Sequence, residues 1–394
     1  MKPVLLFDLD GVLVEPGGYR AAMGEALRLT FERWGWPLHP LQDLSARFEA
    51  AGITSEWDMV PLTLATALEA WAAHHKQVPE PAVLEIHGPS PGPWGTTPPP
   101  DFAALPQRLR PHLQKGLPPS EVTWRLQATS SAPFPTLGRS PLAERLLTGT
   151  REPLRSPLTR LFQLLVLGEK AFVQTYGLAA PFTSPSLLRR HDRPRLTPAL
   201  RDRVQEARRW GHLAVGVFTA RPSLPPRGTP LRPGYPPEAE MALEVVGCPD
   251  LPLIGFGRLQ AFLADSAEGN TEDGAERLLK PHPFHALAAL LAALTGDEAQ
   301  ALRLTADWLF RQRPPSRSLF PAPGLHLIVV EDTAPGIQSA LGAADAVRQL
   351  GVPVRLTPLG IASHPAKQRS LHNLGVQTFP TLQEALQTLF PPPW

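Results

Sequence analysis

The first apolar run of the chain is short and ends on acids: Val4, Leu5, Leu6 and Phe7 lead into Asp8, Leu9, Asp10 and Gly11. Consecutive apolar residues closed by a turn residue predict a buried strand over 4–8. Apolar positions at helical spacing follow over 19–34, 59–75 and 158–176. Between them, HGPSPGPWGTTPPPDF at 87–102 reads as a loop without regular structure. The pattern changes near residue 197. Thr197 and Pro198 predict an N-cap followed by proline in the first turn, with the helix ending at Gly211. Apolar strands are then expected at 213–219, 251–257, 325–332 and 353–360. Helices are expected around 236–246, 282–294 and 297–311, then over GIQSALGAADAVRQLG and over TLQEALQTLF.

Continuous apolar strands alternating with helices imply an α/β fold: a Rossmann-like parallel sheet with helices on both faces. The alternation occupies 1–14 and 197–394, which makes 15–196 an inserted, mainly helical domain. Glu15–Gly18 and the segment 192–198 are candidate hinges between the two. In open parallel sheets the reactive crevice lies at the carboxyl ends of strands. Asp8, Thr219, Glu331 and Asp332 all fall at such ends.

Four polar clusters carry candidate chemistry. Asp8 and Asp10 fall on one side of a strand end, and Gly11 permits a turn. Thr219 closes its strand, where its hydroxyl and the backbone N–H of a neighbour such as Ala220 could hold an anion. Arg221 could assist that anion or hold the loop. Lys280 lies in LLKPHPFHAL, a proline-framed turn that favours a fixed inward pose. His282 and His285 there read as polar residues at a helix start rather than as a metal pair, since no third ligand is near. Glu331 and Asp332 end a buried strand side by side. Carboxylates converging on one crevice repel and raise one another's pKa unless a cation joins them, and oxygen-only ligands favour a hard divalent ion, Mg²⁺ above all.

Composition narrows the alternatives. In 394 residues, 38 lysines and arginines meet 36 acids, and no basic stripe with interleaved aromatics suggests nucleic-acid binding. Cys248 is the sole cysteine, which excludes an internal disulfide and a cysteine metal cluster. Acids interrupt the N-terminal apolar run after four residues, so neither a signal peptide nor a membrane span is expected there, and a cytoplasmic location is the default. Proline is abundant, at 49 residues, and marks loops at 79–119 and 222–237. Trp34, Trp36, Trp57 and Trp71 are expected either in the core of the inserted domain or lining a pocket. Arg189, Arg190, Arg193 and Arg195 are expected on solvated faces or toward an anionic substrate.

DLDG, a strand ending in threonine, LLKP and VEDTAPGIQSA, in that order, resemble the motifs of the haloacid dehalogenase-like phosphohydrolases. EDTAPGIQSA is similar to the form found in the β-phosphoglucomutase and phosphoglycolate phosphatase relatives. The resemblance covers 1–14 and roughly 198–390, and the insertion stands where that family carries a helical cap, at unusual length. It implies an Mg²⁺-dependent phosphatase acting on a small phosphorylated metabolite through an aspartyl phosphate. Asp8 would be the nucleophile and Asp10 the general acid and base, while Thr219, Ala220 and Lys280 would hold the phosphoryl group. Asp8, the Asp10 carbonyl, Asp332 and, directly or through water, Glu331 would hold the metal. A sugar-phosphate mutase and a catalytically inactive binding protein of the same fold are the alternatives. No membrane or nucleic-acid partner is implied.

Overall fold

The computed structural model describes residues 1–36, 43–95, 97–114, 116–266 and 274–389. The strands are β1 Lys2–Phe7, β2 Val14–Glu15, β3 Arg193–Pro194, β4 Ala214–Phe218, β5 Leu253–Ile254, β6 Leu325–Glu331, β7 Val354–Ile361 and β8 Gln377–Phe379. Six of them form one sheet in the order β5-β4-β1-β6-β7-β8, with every neighbouring pair parallel. The chain builds outward from β1 through β4 to β5, then crosses back to β6 and builds the other way. That reversal beside β1 is the point where an open parallel sheet leaves a crevice at its carboxyl edge.

The strands read as apolar runs because both faces are covered. Val4 and Leu6 of β1 join Ala214, Phe218, Leu327 and Val329 in one core, packed by the helices Pro283–Thr295 and Ala334–Gln349. Leu5 and Phe7 join Val215, Val217, Ile328 and Val330 in another, packed by the helix Glu238–Val246. Alternate residues of one strand thus feed opposite cores, as period-two geometry requires.

Two compact units divide the chain: Met1–Pro16 with Asp192–Trp394, and Gly17–His191. The divisions expected at 14 and 197 shift because β2 and β3 pair antiparallel and keep both crossing points in the sheet unit. The second unit is helical, with long helices at Gly18–Trp34, Glu56–His75 and Pro157–Leu167. The single helix expected over 158–176 is two, broken at Gly168. Trp34, Trp36 and Trp71 are buried in this unit, with Trp36 stacked on Trp94 at 4.1 Å. Gly17 and Gly18 permit close packing: a Cβ on Gly18 would lie 2.5 Å from Leu188 Cα.

One further expectation needs correction. The strand expected at 251–257 spans only Leu253–Ile254, because Gly255 opens a helix at Phe256–Asp265. The helix Pro365–His372 and strand β8 were not foreseen, since neither has enough apolar residues to stand out. The polar loop expected at 265–276 falls mostly outside the described residues, at 267–273, as does Phe390 at the end of the last expected helix.

A buried ionic knot anchors the segment that follows β4. Arg258, 1% exposed, donates from Nε to Glu298 Oε2 at 2.8 Å and from Nη1 to Leu224 O at 3.0 Å and Glu240 Oε1 at 2.5 Å. Glu298 also accepts the N–H groups of Leu253 and Arg227 at 2.9 and 3.0 Å. The knot ties β5, three helices and the proline-rich stretch after Thr219 together. Arg258→Met should therefore cost about 3–5 kcal/mol, since two carboxylates lose a shared cation in a dry setting. A urea midpoint unchanged from wild type would contradict that role.

Candidate functional site

Asp8 follows β1 directly and prolongs its ladder, donating its N–H to Val330 O at 3.0 Å. Glu331 ends the adjacent β6, and Asp332 follows it directly. Strand pairing therefore brings the two acidic clusters together, and the carboxylates of Asp8, Glu331 and Asp332 lie within 4.8 Å of one another. All three residues are buried.

Burying three carboxylates together is costly unless cations or protons neutralise them. Lys280, from the turn before the helix Pro283–Thr295, places Nζ 2.6 Å from Asp8 Oδ1 and 2.5 Å from Glu331 Oε1. The contact to Glu331 is an ion pair. The same ammonium sits 4.2 Å from the centroid of the Phe218 ring at the end of β4, a cation–π contact. Lys367, on the helix Pro365–His372, pairs with Asp332 Oδ2. Counted as ionised, three carboxylates meet two ammonium groups, so one negative charge remains.

Local backbone geometry fixes the acids. Glu331 Oε2 accepts from Asp332 N at 3.1 Å, Thr333 N at 3.1 Å and Thr333 Oγ1 at 2.9 Å. Thr333 Oγ1 in turn caps the next helix by accepting from Gly336 N at 3.3 Å. Gly336 is needed there, because a Cβ would lie 1.8 Å from Glu331 Oε1. Gly11, at φ +77°, leaves room for Asp332 in the same way: a Cβ would meet Asp332 Oδ2 at 2.4 Å.

Electrostatics follow from this crowding. Burial pushes the Asp8 carboxyl well above its ordinary range; Lys280 opposes the shift, and Glu331 and Asp332 add to it. Burial alone would lower the Lys280 ammonium, but Asp8 and Glu331 outweigh it and hold that pKa above its usual value.

Asp10 lies apart from this set. Its carboxylate turns to Arg221, whose Nε reaches Oδ1 and Oδ2 at 2.9 and 2.8 Å and whose Nη2 reaches Oδ1 at 2.5 Å. The other arm of Arg221, Nη1, donates to Asp192 Oδ2 at 2.9 Å. The Arg221 and Asp192 side chains are 2% and 0% exposed, while that of Asp10 is 35% exposed. Arg221 thus holds acids as well as its loop.

Thr219 follows β4 directly with its N–H on Ile254 O at 3.0 Å, and its Oγ1 accepts from Arg221 N at 3.2 Å. The hydroxyl proton is left to donate elsewhere. Ala220 is exposed beside it. His285, expected as a polar residue of a helix start, is fully buried, and its Nε2 donates to the same Ile254 carbonyl at 2.9 Å. Burial, then the Lys280 charge, keeps its imidazole neutral down to about 3. His282 does cap its helix, accepting from Phe284 N at 3.1 Å. Arg195 holds Gly11 O at 2.8 Å, whereas Arg189, Arg190 and Arg193 are exposed.

Lys367 and Asp192 were missed from the sequence. Lys367 stands in a polar helix without a motif, and nothing local to Asp192 indicates that a residue near 221 will meet it. Asp8, Lys280, Glu331 and Asp332 converge as a unit that could hold a cation or an anion bridged by one.

No protein-family model matches the chain, and no curated protein matches it. Among solved structures the chain is similar to the X-ray structure of a Northeast Structural Genomics Consortium target, at 16% identity. The match covers 99% of each chain, with a TM-score of 0.57. At that identity the likeness shows the fold alone. Among the described residues no helix is long and apolar enough to cross a membrane.

Removing the shared cation should expose the cost of the cluster. Asp8 binds its proton more tightly folded than unfolded, so lowering the pH toward its ordinary value favours the folded state. Lys280→Met removes the charge that opposes this shift. Its stability deficit relative to wild type should narrow as pH falls from about 8 toward about 5. Denaturation curves across that range test the sign; a deficit that widens would be inconsistent with the buried acids as its source.

Proposed function

We propose that this protein is an Mg²⁺-dependent phosphatase that hydrolyses a small phosphorylated metabolite through an aspartyl phosphate. The observation that carries the reading is the Asp8 carboxylate at the carboxyl end of β1, bonded to Lys280 and grouped with Glu331 and Asp332. The motif order that resembles the haloacid dehalogenase-like phosphohydrolases supports the same reading.

A hard divalent ion fits the donor set, which is all oxygen, buried and, counted as ionised, one positive charge short of neutral. Asp8, Asp332 and Glu331, with the Asp10 carbonyl, are the residues that would hold Mg²⁺, and its chemistry there would be to neutralise charge on phosphoryl oxygens. The rest falls to the chain's own groups. An Asp8 oxygen attacks phosphorus, the ester P–O bond breaks, and the Asp10 carboxyl gives its proton to the departing oxygen. A water then attacks the acyl phosphate and gives a proton back to Asp10. The bond between phosphorus and Asp8 breaks, and inorganic phosphate leaves. The carboxylate nucleophile divides one difficult step into two. Lys280 steadies Asp8 and meets the charge that develops on the phosphoryl oxygens. Thr219 supplies its hydroxyl, and Ala220 its N–H, to the same oxygens.

Asp8→Asn should release no phosphate from a panel of phosphomonoesters that wild type hydrolyses with Mg²⁺, while keeping its circular dichroism spectrum. Near-normal turnover by that variant would remove Asp8 as nucleophile. Isomer interconversion without net phosphate release would identify a mutase instead.

Metal binding has its own readout. MgCl₂ should raise the wild-type melting temperature and fail to raise that of Asp332→Asn. Lys367→Gln should bind Mg²⁺ more tightly in titration calorimetry, because it removes an internal cation that competes for Asp332. Equal affinity in the two proteins would mean that Lys367 does not compete.

A further inference from the structure

Asp192 has no place in the chemistry proposed so far, yet it is completely buried and ionically committed. It accepts from Arg221 Nη1 at 2.9 Å, at the end of the guanidinium opposite Asp10. Nε and Nη2 of the same guanidinium hold both Asp10 oxygens. A guanidinium is planar and rigid, so an acid fixed at one edge determines the direction of the donors at the other. The Arg221 backbone is fixed too: its N–H donates to Thr219 Oγ1 at 3.2 Å, and its carbonyl accepts from Phe256 N at 3.0 Å. Three residues far apart in sequence therefore form one line, Asp192 to Arg221 to Asp10. Its last member is the partly exposed one, with 35% of its side chain open.

The line has a built origin. Asp192 is the first residue of the chain's return into the sheet unit, next to β3. Asp10 lies just before the ribbon partner of β3 and forms a bridge with Val14 of β2. The ribbon and the guanidinium thus join the same two stretches by separate means, one through backbone and one through side chains.

We infer that Asp192, acting through Arg221, is a positioning residue for Asp10. The inference rests on the phosphatase reading, in which Asp10 passes a proton to the departing oxygen. Arg221 aims the Asp10 carboxyl, and Asp192 keeps Arg221 from swinging with it. Neither touches the phosphoryl group. Their effect is confined to the step in which the ester oxygen leaves, which sets them apart from Lys280, Thr219 and the acidic triad.

Leaving-group dependence tests this. p-Nitrophenyl phosphate loses a stable phenolate and needs little help from a proton donor. Glycerol 2-phosphate loses an alkoxide that must be protonated as it departs. Both are assayed on the full chain at one pH and one MgCl₂ concentration. Asp192→Asn, which keeps the shape and removes the charge, should lower kcat/KM on glycerol 2-phosphate at least about tenfold more than on p-nitrophenyl phosphate, a part of the roughly 10²–10⁴ that a positioned proton donor contributes. Arg221→Lys, which keeps a cation but loses the two-sided geometry, should show the same bias. The ratio is taken within one preparation, so a misfolded fraction cancels. A ratio unchanged in both variants overturns the inference and leaves the phosphatase reading standing. Wild-type protein that releases phosphate from neither ester overturns both.

Discussion

Much of the sheet unit is arranged around one ammonium group. Lys280 sits between Asp8 and Glu331, with an aromatic face at 4.2 Å, in a place where water cannot screen the acids. Remove it and two carboxylates are left facing each other at the ends of adjacent strands. Nothing in the backbone could separate them, because β1 and β6 are in register up to Phe7 and Val330. The pairing that gives the sheet its core also forces the acids together, and the lysine makes that pairing tolerable.

The same constraint explains which parts could be read from the sequence. Asp8, Lys280, Glu331 and Asp332 stand in short apolar or proline-framed contexts that set their placement locally, so their convergence follows once the strands are recognised. Arg221 was recognisable as a residue after a strand end, but not as the partner of Asp10 and Asp192, because side-chain pairing over such separations leaves no periodic trace. His285 looked like part of a polar helix start because its neighbours His282 and Pro283 are. Its burial is set by Phe218 and Ile254, which reach it only through the fold. Strand β8 is three residues long and carries one buried apolar side chain, too little for an alternation to register.

Two cationic devices with different jobs meet at this edge of the sheet. The lysines neutralise: each offers a point charge to a carboxylate. Arg221 orients: its planar fork holds Asp10 on one side and Asp192 on the other, and a point charge cannot do this. Exchange of one type for the other would leave the net charge unchanged and the geometry lost. The distinction separates the acids that share a cation from the acid whose direction matters.

It also gives the residue order after β1 a physical reading. Asp8 and Asp10 are two apart, yet Gly11 and the turn that follows send them to different partners. Asp8 stays on the strand line, where burial raises its pKa and Lys280 limits the rise. Asp10 leaves that line, bridges to Val14, and remains partly open to solvent. The two acids thus differ in burial and in partner, the first beside an ammonium and the second on a guanidinium. In the phosphatase reading, the division of labour between the two acids is a consequence of where the strand ends.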